Sequence, residues 1–240
     1  MGILLALCLL SLLSVNLMQA TKIPPEHLAY IVKQFHQARG SGSESNNDFK
    51  QFAFLMVLNE EQCTKGISDF NPTVPQKVPE GDWKYIALKP GRATINGKRE
   101  IRYCAEARML LTDPSPAAAF GNIEAVQDTL ACGGCVIFYT ANTPCIGRCF
   151  GGGQLDIIGP LNNAPFDAWK TNELIDMYFV YTQPYSSNQN EEDFNKCVTE
   201  SFVRLNENKS GSPYLIYRCS TNECRPCEAN NNFCLEPTQF

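Results

Sequence analysis

Residues 135–145 read CVIFYTANTPC, and this stretch decides both the architecture and the place of the chemistry. Its first seven residues are apolar, β-branched or aromatic, the make-up of a strand buried on both faces. Thr143 then offers a helix cap, and Pro144 fits the first helical turn, where its missing amide hydrogen costs nothing. A strand is thus expected to deliver Cys145 to a helix start, with Cys149 following after a three-residue spacer.

Working outward, FKQFAFLMVLN (49–59), DWKYIALKP (82–90), ELIDMYFVYT (173–182) and PYLIYRC (213–219) also read as strands. RATING (92–97) calls for a hairpin turn at Asn96-Gly97. Leu28, Ile31, Val32 and Phe35 fall at helical spacing after two prolines, and a Gly/Ser/Asn-rich linker follows them. Helices are further expected at YCAEARMLL (103–111), NIEAVQDTL (122–130) and EEDFNKCVTESFVRL (191–205), with a turn at TDPSPAAAFG between the first two. Strands and helices alternating in this order imply an α/β fold, one mixed sheet of roughly five strands with helices on its faces.

The chain has 240 residues, 44% of them hydrophobic, enough to bury a substantial core. Residues 1–20 carry no charged side chain and end in Ala20 after a long apolar run, which reads as a signal peptide cut at that point. The remainder holds no second segment of membrane-spanning character, so an exported protein without stable membrane association is expected. Asn208 heads the N-glycosylation sequon NKS. The formal charge of −5 argues against general attraction to polyanions. Locally, however, residues 83–102 hold Lys84, Lys89, Arg92, Lys98, Arg99 and Arg102 against one acid, Glu100, a candidate phosphate-facing surface.

A zinc ion that activates water takes three protein ligands and keeps one position open, and thiolates suit it. Cys104, Cys145 and Cys149 are the candidate ligands. Glu106, two residues beyond Cys104, can approach the open position without filling it. A carboxylate there can take a proton from water and pass it to a substrate nitrogen and a leaving amine, the division of labour that hydrolytic deamination requires. Twelve cysteines include Cys8 of the leader. With three more set aside as ligands, Cys63, Cys132, Cys135, Cys197, Cys219, Cys224, Cys227 and Cys234 remain and can close four disulfides.

Cys-Ala-Glu at 104–106, followed by Pro144, Cys145 and Cys149, resembles the cytidine deaminase superfamily, whose sites combine His-x-Glu, or a cysteine in place of the histidine, with Pro-Cys-x-x-Cys. Cys104 stands where most members carry histidine, and the spacer before Cys149 is one residue longer. Together with the leader, these motifs make the chain similar to the secreted novel AID/APOBEC-like deaminases of vertebrates. The resemblance implies a three-layer cytidine-deaminase-like fold over residues 50–220. A signal peptide (1–20), a helix with linker (21–49) and a cysteine-stapled tail (221–240) would surround it. It further implies Zn2+ on Cys104, Cys145 and Cys149, Glu106 as the catalytic proton carrier, and water and a cytosine-containing nucleic acid, nucleotide or nucleoside as substrates. Asn142 and Thr143, in the loop entering the site, Tyr103 beside the first ligand and Tyr185 after ELIDMYFVYT become candidate substrate contacts. Immune defence is the role the resemblance suggests.

Other readings of the same residues stay open. The cysteines could all serve disulfides, and Cys132-Gly-Gly-Cys135 and Cys224-Arg-Pro-Cys227 both have the spacing of a zinc knuckle or redox pair, although no thioredoxin-like pattern surrounds the first and disulfides suit the tail that holds the second. His27 and His36, the only histidines, both lie before the linker and poorly supply a serine or cysteine hydrolase triad. A deaminase-like scaffold turned secreted binding or host-defence protein, its zinc purely structural, is the alternative to an enzyme.

Overall fold

The computed structural model describes residues 22–39, 51–77, 83–92, 94–95, 98–99, 104–143, 149–150, 153, 155–183, 191–207, 211–220, 222–227 and 234, with the backbone alone at 94–95, 98–99 and 191–197. A six-stranded mixed sheet organises them: β1 (Ala53–Asn59), β2 (Lys84–Leu88), β5 (Gly134–Asn142), β6 (Ile175–Gln183), β7 (Leu215–Cys219) and β8 (Cys224–Pro226), in the order β2-β1-β5-β6-β7-β8. The pairs β2/β1, β1/β5 and β7/β8 are antiparallel, whereas β5/β6 and β6/β7 are parallel. All five expected strands are present. The sixth comes from the C-terminal stretch, whose three residues Cys-Arg-Pro carry no strand signal of their own. β3 (Thr94–Ile95) and β4 (Lys98–Arg99) form a separate hairpin that pairs Thr94 with Arg99 and Ile95 with Lys98, the register expected of a turn at Asn96-Gly97.

Alternation along the strands divides the core in two. Val136, Phe138, Met177, Phe179 and Tyr181 face one layer, made of α3 (Ala105–Leu110), α4 (Pro116–Gly121), α5 (Glu124–Leu130), α6 (Ile158–Leu161), α7 (Phe166–Thr171) and α8 (Glu191–Asn206). Cys135, Ile137, Tyr139, Tyr178 and Val180 face the other, made of α1 (Pro25–Ala38) and α2 (Glu60–Lys65). Both central strands are buried on both faces, hence their largely apolar reading, broken in β6 by Asp176.

Tertiary packing holds α1 in place. Leu28, Ile31, Val32 and Phe35, the residues at helical spacing, are fully buried, and each apolar side chain so buried contributes about 1.5–3 kcal/mol. Phe35 stacks on Phe54 with ring centres 3.8 Å apart, and α1 also packs against β7 and β8.

Two expectations are corrected. TDPSPAAAFG is not only a turn: Ser115 accepts a hydrogen bond from the Ala118 amide and Pro116 opens the helix α4, so the Ser-Pro pair is a helix start. Among the described residues three disulfides close, Cys63–Cys135, Cys219–Cys224 and Cys227–Cys234, while Cys132 is an exposed free thiol and the Cys197 side chain lies outside the described part. Gly133 and Gly134, both at positive φ, turn the chain between Cys132 and Cys135. Cys135 enters the sheet facing α2, where Cys63 meets it, and Cys132 stays outside.

A polar group is built into this second layer. His36 Nε2 lies 2.6 Å from the Tyr139 hydroxyl, which is 2.6 Å from Thr182 Oγ1. Burial, assisted by the Arg39 charge, holds the His36 ring down at about 4, against 6.5 for a free ring. Above about pH 6.5 the ring is neutral in both folded and unfolded chains. Below it the unfolded chain gains a proton that the folded chain refuses until about pH 4, so stability falls across that window, by about 2 kcal/mol at pH 5. Glu106 and Asp176, buried carboxyls shifted upward, act in the opposite sense. His36→Gln should therefore lose less stability on acidification than wild type, measured as the shift in urea midpoint between about pH 7.5 and pH 5. Equal shifts would exclude the assignment.

Candidate metal centre

Cys104 is the N-cap of α3, in extended conformation (φ −61°, ψ 158°), and its side chain makes no capping bond. The sulfur is therefore left for another partner, and it finds Cys149 Sγ at 3.1 Å. Cys149 lies in a turn and not, as the reading of TPCIGRC implies, within a helix. Two contacts clamp that turn. The Ile157 amide donates to Cys149 O at 2.8 Å, and Arg204, at the end of α8, donates to Phe150 O while pairing with Asp156 at 3.1 Å. The Phe150 ring packs on Phe179 of β6, with centres 5.9 Å apart.

Glu106 sits in the first turn of α3 with only 2% of its surface exposed, and one carboxylate oxygen lies within 4.8 Å of both sulfurs. Burial pushes its carboxyl up to about 7, although its own backbone amide and the Cys104 thiol pull the other way. The Cys104 thiol is driven well above its ordinary value, first by its contact with Cys149 and then by burial. The Cys104 sulfur is thus held as a thiol, and a metal bound here must displace its proton.

The donor set fits zinc. At 3.1 Å the sulfurs are well beyond a bond of about 2.05 Å. They are somewhat inside the separation of about 3.8 Å that two thiolates take on a tetrahedral ion with Zn–S near 2.3 Å, so a sub-ångström widening seats them on one ion. Soft sulfur donors with a neighbouring carboxylate are zinc chemistry.

Of the residues singled out in the sequence, Cys104, Glu106 and Cys149 are brought together, from two segments more than forty positions apart. Thr143 is buried just past the end of β5, its amide bonded to Gln183 O at 2.7 Å, and Asn142, beside it, is half-buried. Tyr103, Pro144, Cys145 and Tyr185 lie outside the described residues. Arg204 and Asp156, which fix the turn at Cys149, escaped the sequence reading. The partners of Arg204, Phe150 and Asp156, are 54 and 48 residues away from it, and nothing in a local pattern announces them. Arg108, also missed, donates from α3 to Lys89 O and so joins the site helix to the basic stretch after β2.

A three-layer mixed sheet, with Cys-x-Glu opening one helix and a cysteine supplied by the crossover that leaves the central strand, defines a deaminase-like α/β protein. The family model described as Secreted Novel AID/APOBEC-like Deaminase 1 matches residues 25–238, and the chain belongs to this family. Comparison with curated proteins gave no match. Among the described residues no helix is long and apolar enough to cross a membrane.

Because Arg204 holds the turn of Cys149 without touching the sulfur, Arg204→Ala should weaken zinc binding about tenfold, the usual scale for a group that orients a ligand. Competition against a chromophoric chelator measures this. Arg225→Ala, at an exposed pair with Glu223 on β8, serves as the unaffected control.

Proposed function

We propose that this chain is a secreted zinc-dependent hydrolytic deaminase that converts a cytosine-type base to uracil, with Cys104, Cys145 and Cys149 as metal ligands and Glu106 as proton carrier. The observation that carries the reading is Glu106 itself. A structural zinc site has no use for a fully buried carboxyl beside its sulfurs, and keeping one there is costly. Family membership and the three disulfides support export, with the leader cut after Ala20 and a glycan on Asn208, both outside the described residues.

A zinc ion held by these ligands would supply the Lewis acidity that makes water a nucleophile near neutral pH. Glu106 takes one proton from the attacking water and gives it to the ring nitrogen next to the amidine carbon. It then delivers the second to the departing amine, so that water and cytosine leave as ammonia and uracil. A carboxyl near 7 can hold or release a proton with almost equal ease at neutral pH, as a shuttle requires. Asn142 and Thr143, at the end of β5, are the candidate substrate contacts on this side, and Tyr103 and Tyr185 are the candidate stacking partners for the base.

Single-stranded nucleic acid is the favoured substrate because the basic stretch meets the site helix. Gly91 lies against the Arg108 side chain, Arg92 is exposed, and Lys89 reaches across to Arg39 O at 3.1 Å. Phosphates running along this segment would meet cations that the overall negative charge does not reveal.

Glu106→Ala should retain zinc while lowering turnover by about 10³-fold, with uracil formation followed by mass spectrometry. Undiminished conversion in that variant would remove Glu106 from the mechanism. Arg92→Ala should weaken binding of a cytosine-containing single-stranded oligonucleotide and reduce the slope of log affinity against log salt by about 0.7, yet leave deoxycytidine turnover unchanged. An unaltered slope would point to a free nucleoside instead.

A further inference from the structure

We propose that Cys104 and Cys149 are also an oxidisable pair, whose disulfide excludes the metal and switches the site off. The inference rests on reading these residues as metal ligands, and three features of the chain carry it. The sulfurs are 3.1 Å apart, so about 1 Å of closure makes the bond. Cys104 is half-buried and the more accessible of the two, whereas Cys149, 1% exposed, is held by the Ile157 and Arg204 contacts, in the place of a resolving thiol. The same fold closes three other disulfides, the mark of a chain made for an oxidising compartment. A histidine in place of Cys104 would leave no such pair.

The chemistry is thiol–disulfide exchange with a low-molecular-weight disulfide as oxidant. Cys104 Sγ attacks one sulfur of the oxidant, its proton passes to the departing small thiolate, and a mixed disulfide and one small thiol result. Cys149 Sγ then attacks Cys104 Sγ, and the second small thiol leaves. Two protein thiols lose two electrons and the oxidant gains them. The product has one S–S bond where two ligand lone pairs had been available, so zinc and oxidation compete for the same atoms. Zinc loaded before export protects the site, and a chain exported without zinc closes.

The test takes the full chain from a secreting host, one portion loaded with zinc and one stripped by chelation with Cys104 and Cys149 reduced and Cys63–Cys135 intact. Both are exposed to oxidised glutathione, the remaining thiols are alkylated, and cross-linked peptides are mapped by mass spectrometry. The stripped chain should gain a Cys104–Cys149 link, lose both alkylation marks and fail to bind zinc added back. The loaded chain should keep both marks. In stripped Cys104→Ser, Cys149 should remain alkylatable. A stripped wild-type chain that keeps both marks, or that links Cys149 to Cys145, overturns the proposal. Zinc uptake by the reduced chain is read alongside: no uptake defeats the metal reading whether or not the link forms, while uptake without linkage defeats the redox pair alone.

Discussion

Two neighbouring strands that run parallel cannot be joined by a tight turn, and this constraint on β5 and β6 underlies most of the molecule. The chain must leave the end of β5, cross one face of the sheet and return to its starting edge before β6 can begin. Residues 143–174 make that journey, and Cys149 and the helices α6 and α7 lie on it. Because both strands are buried on both faces, their register is firmly set, and the point where the crossover departs is set with it. Cys149 thus stands in a turn whose position is decided by strand pairing and then refined by Arg204 and Phe150.

The second half of the site obeys a different rule. α3 is a six-residue helix held to the sheet by Ala105, Met109 and Leu110. Its own hydrogen bonds could not sustain so short a helix in water, so the packing places Cys104 and Glu106. Burying Glu106 costs stability, and the surrounding apolar contacts must offset it. The site is accordingly a place where the fold tolerates an unfavourable charge, a common property of functional centres. The net acidity of the chain and the basic stretch beside α3 follow the same division, with the global charge governing solubility and the local charge governing what approaches.

The sequence was most readable where burial acts on both sides of a strand. FLMVL, CVIFY and MYFVY leave almost no alternative to the sheet interior, and Leu28, Ile31, Val32 and Phe35 marked the one long amphipathic helix of the other layer. Short elements were hidden. α4 lies under a Ser-Pro pair that serves equally for turns, and β8 is a strand only because β7 offers it an edge. At the site, Cys104 and Glu106 were legible from spacing and chemistry, whereas the clamp by Arg204 depends on where α8 docks. Cysteine pairing failed for a similar reason. Counting cannot tell that two glycines turn the chain between Cys132 and Cys135 and send only the second into the α2 layer.

The last described residue, Cys234, has a bearing on how the protein is made. Its carbonyl accepts the Tyr181 hydroxyl at 2.7 Å, and its sulfur is tied to Cys227 just beyond the edge strand β8, which α1 covers from the other end of the chain. A ribosome releases this segment long after α1 has emerged. Until then the sheet keeps an open edge, Tyr181 keeps a buried hydroxyl without its acceptor, and α1 lacks part of the surface it rests on. Such a chain cannot complete itself from its beginning forward. The edge of the sheet and part of the surface under α1 are completed together, once Cys227 and Cys234 are both present.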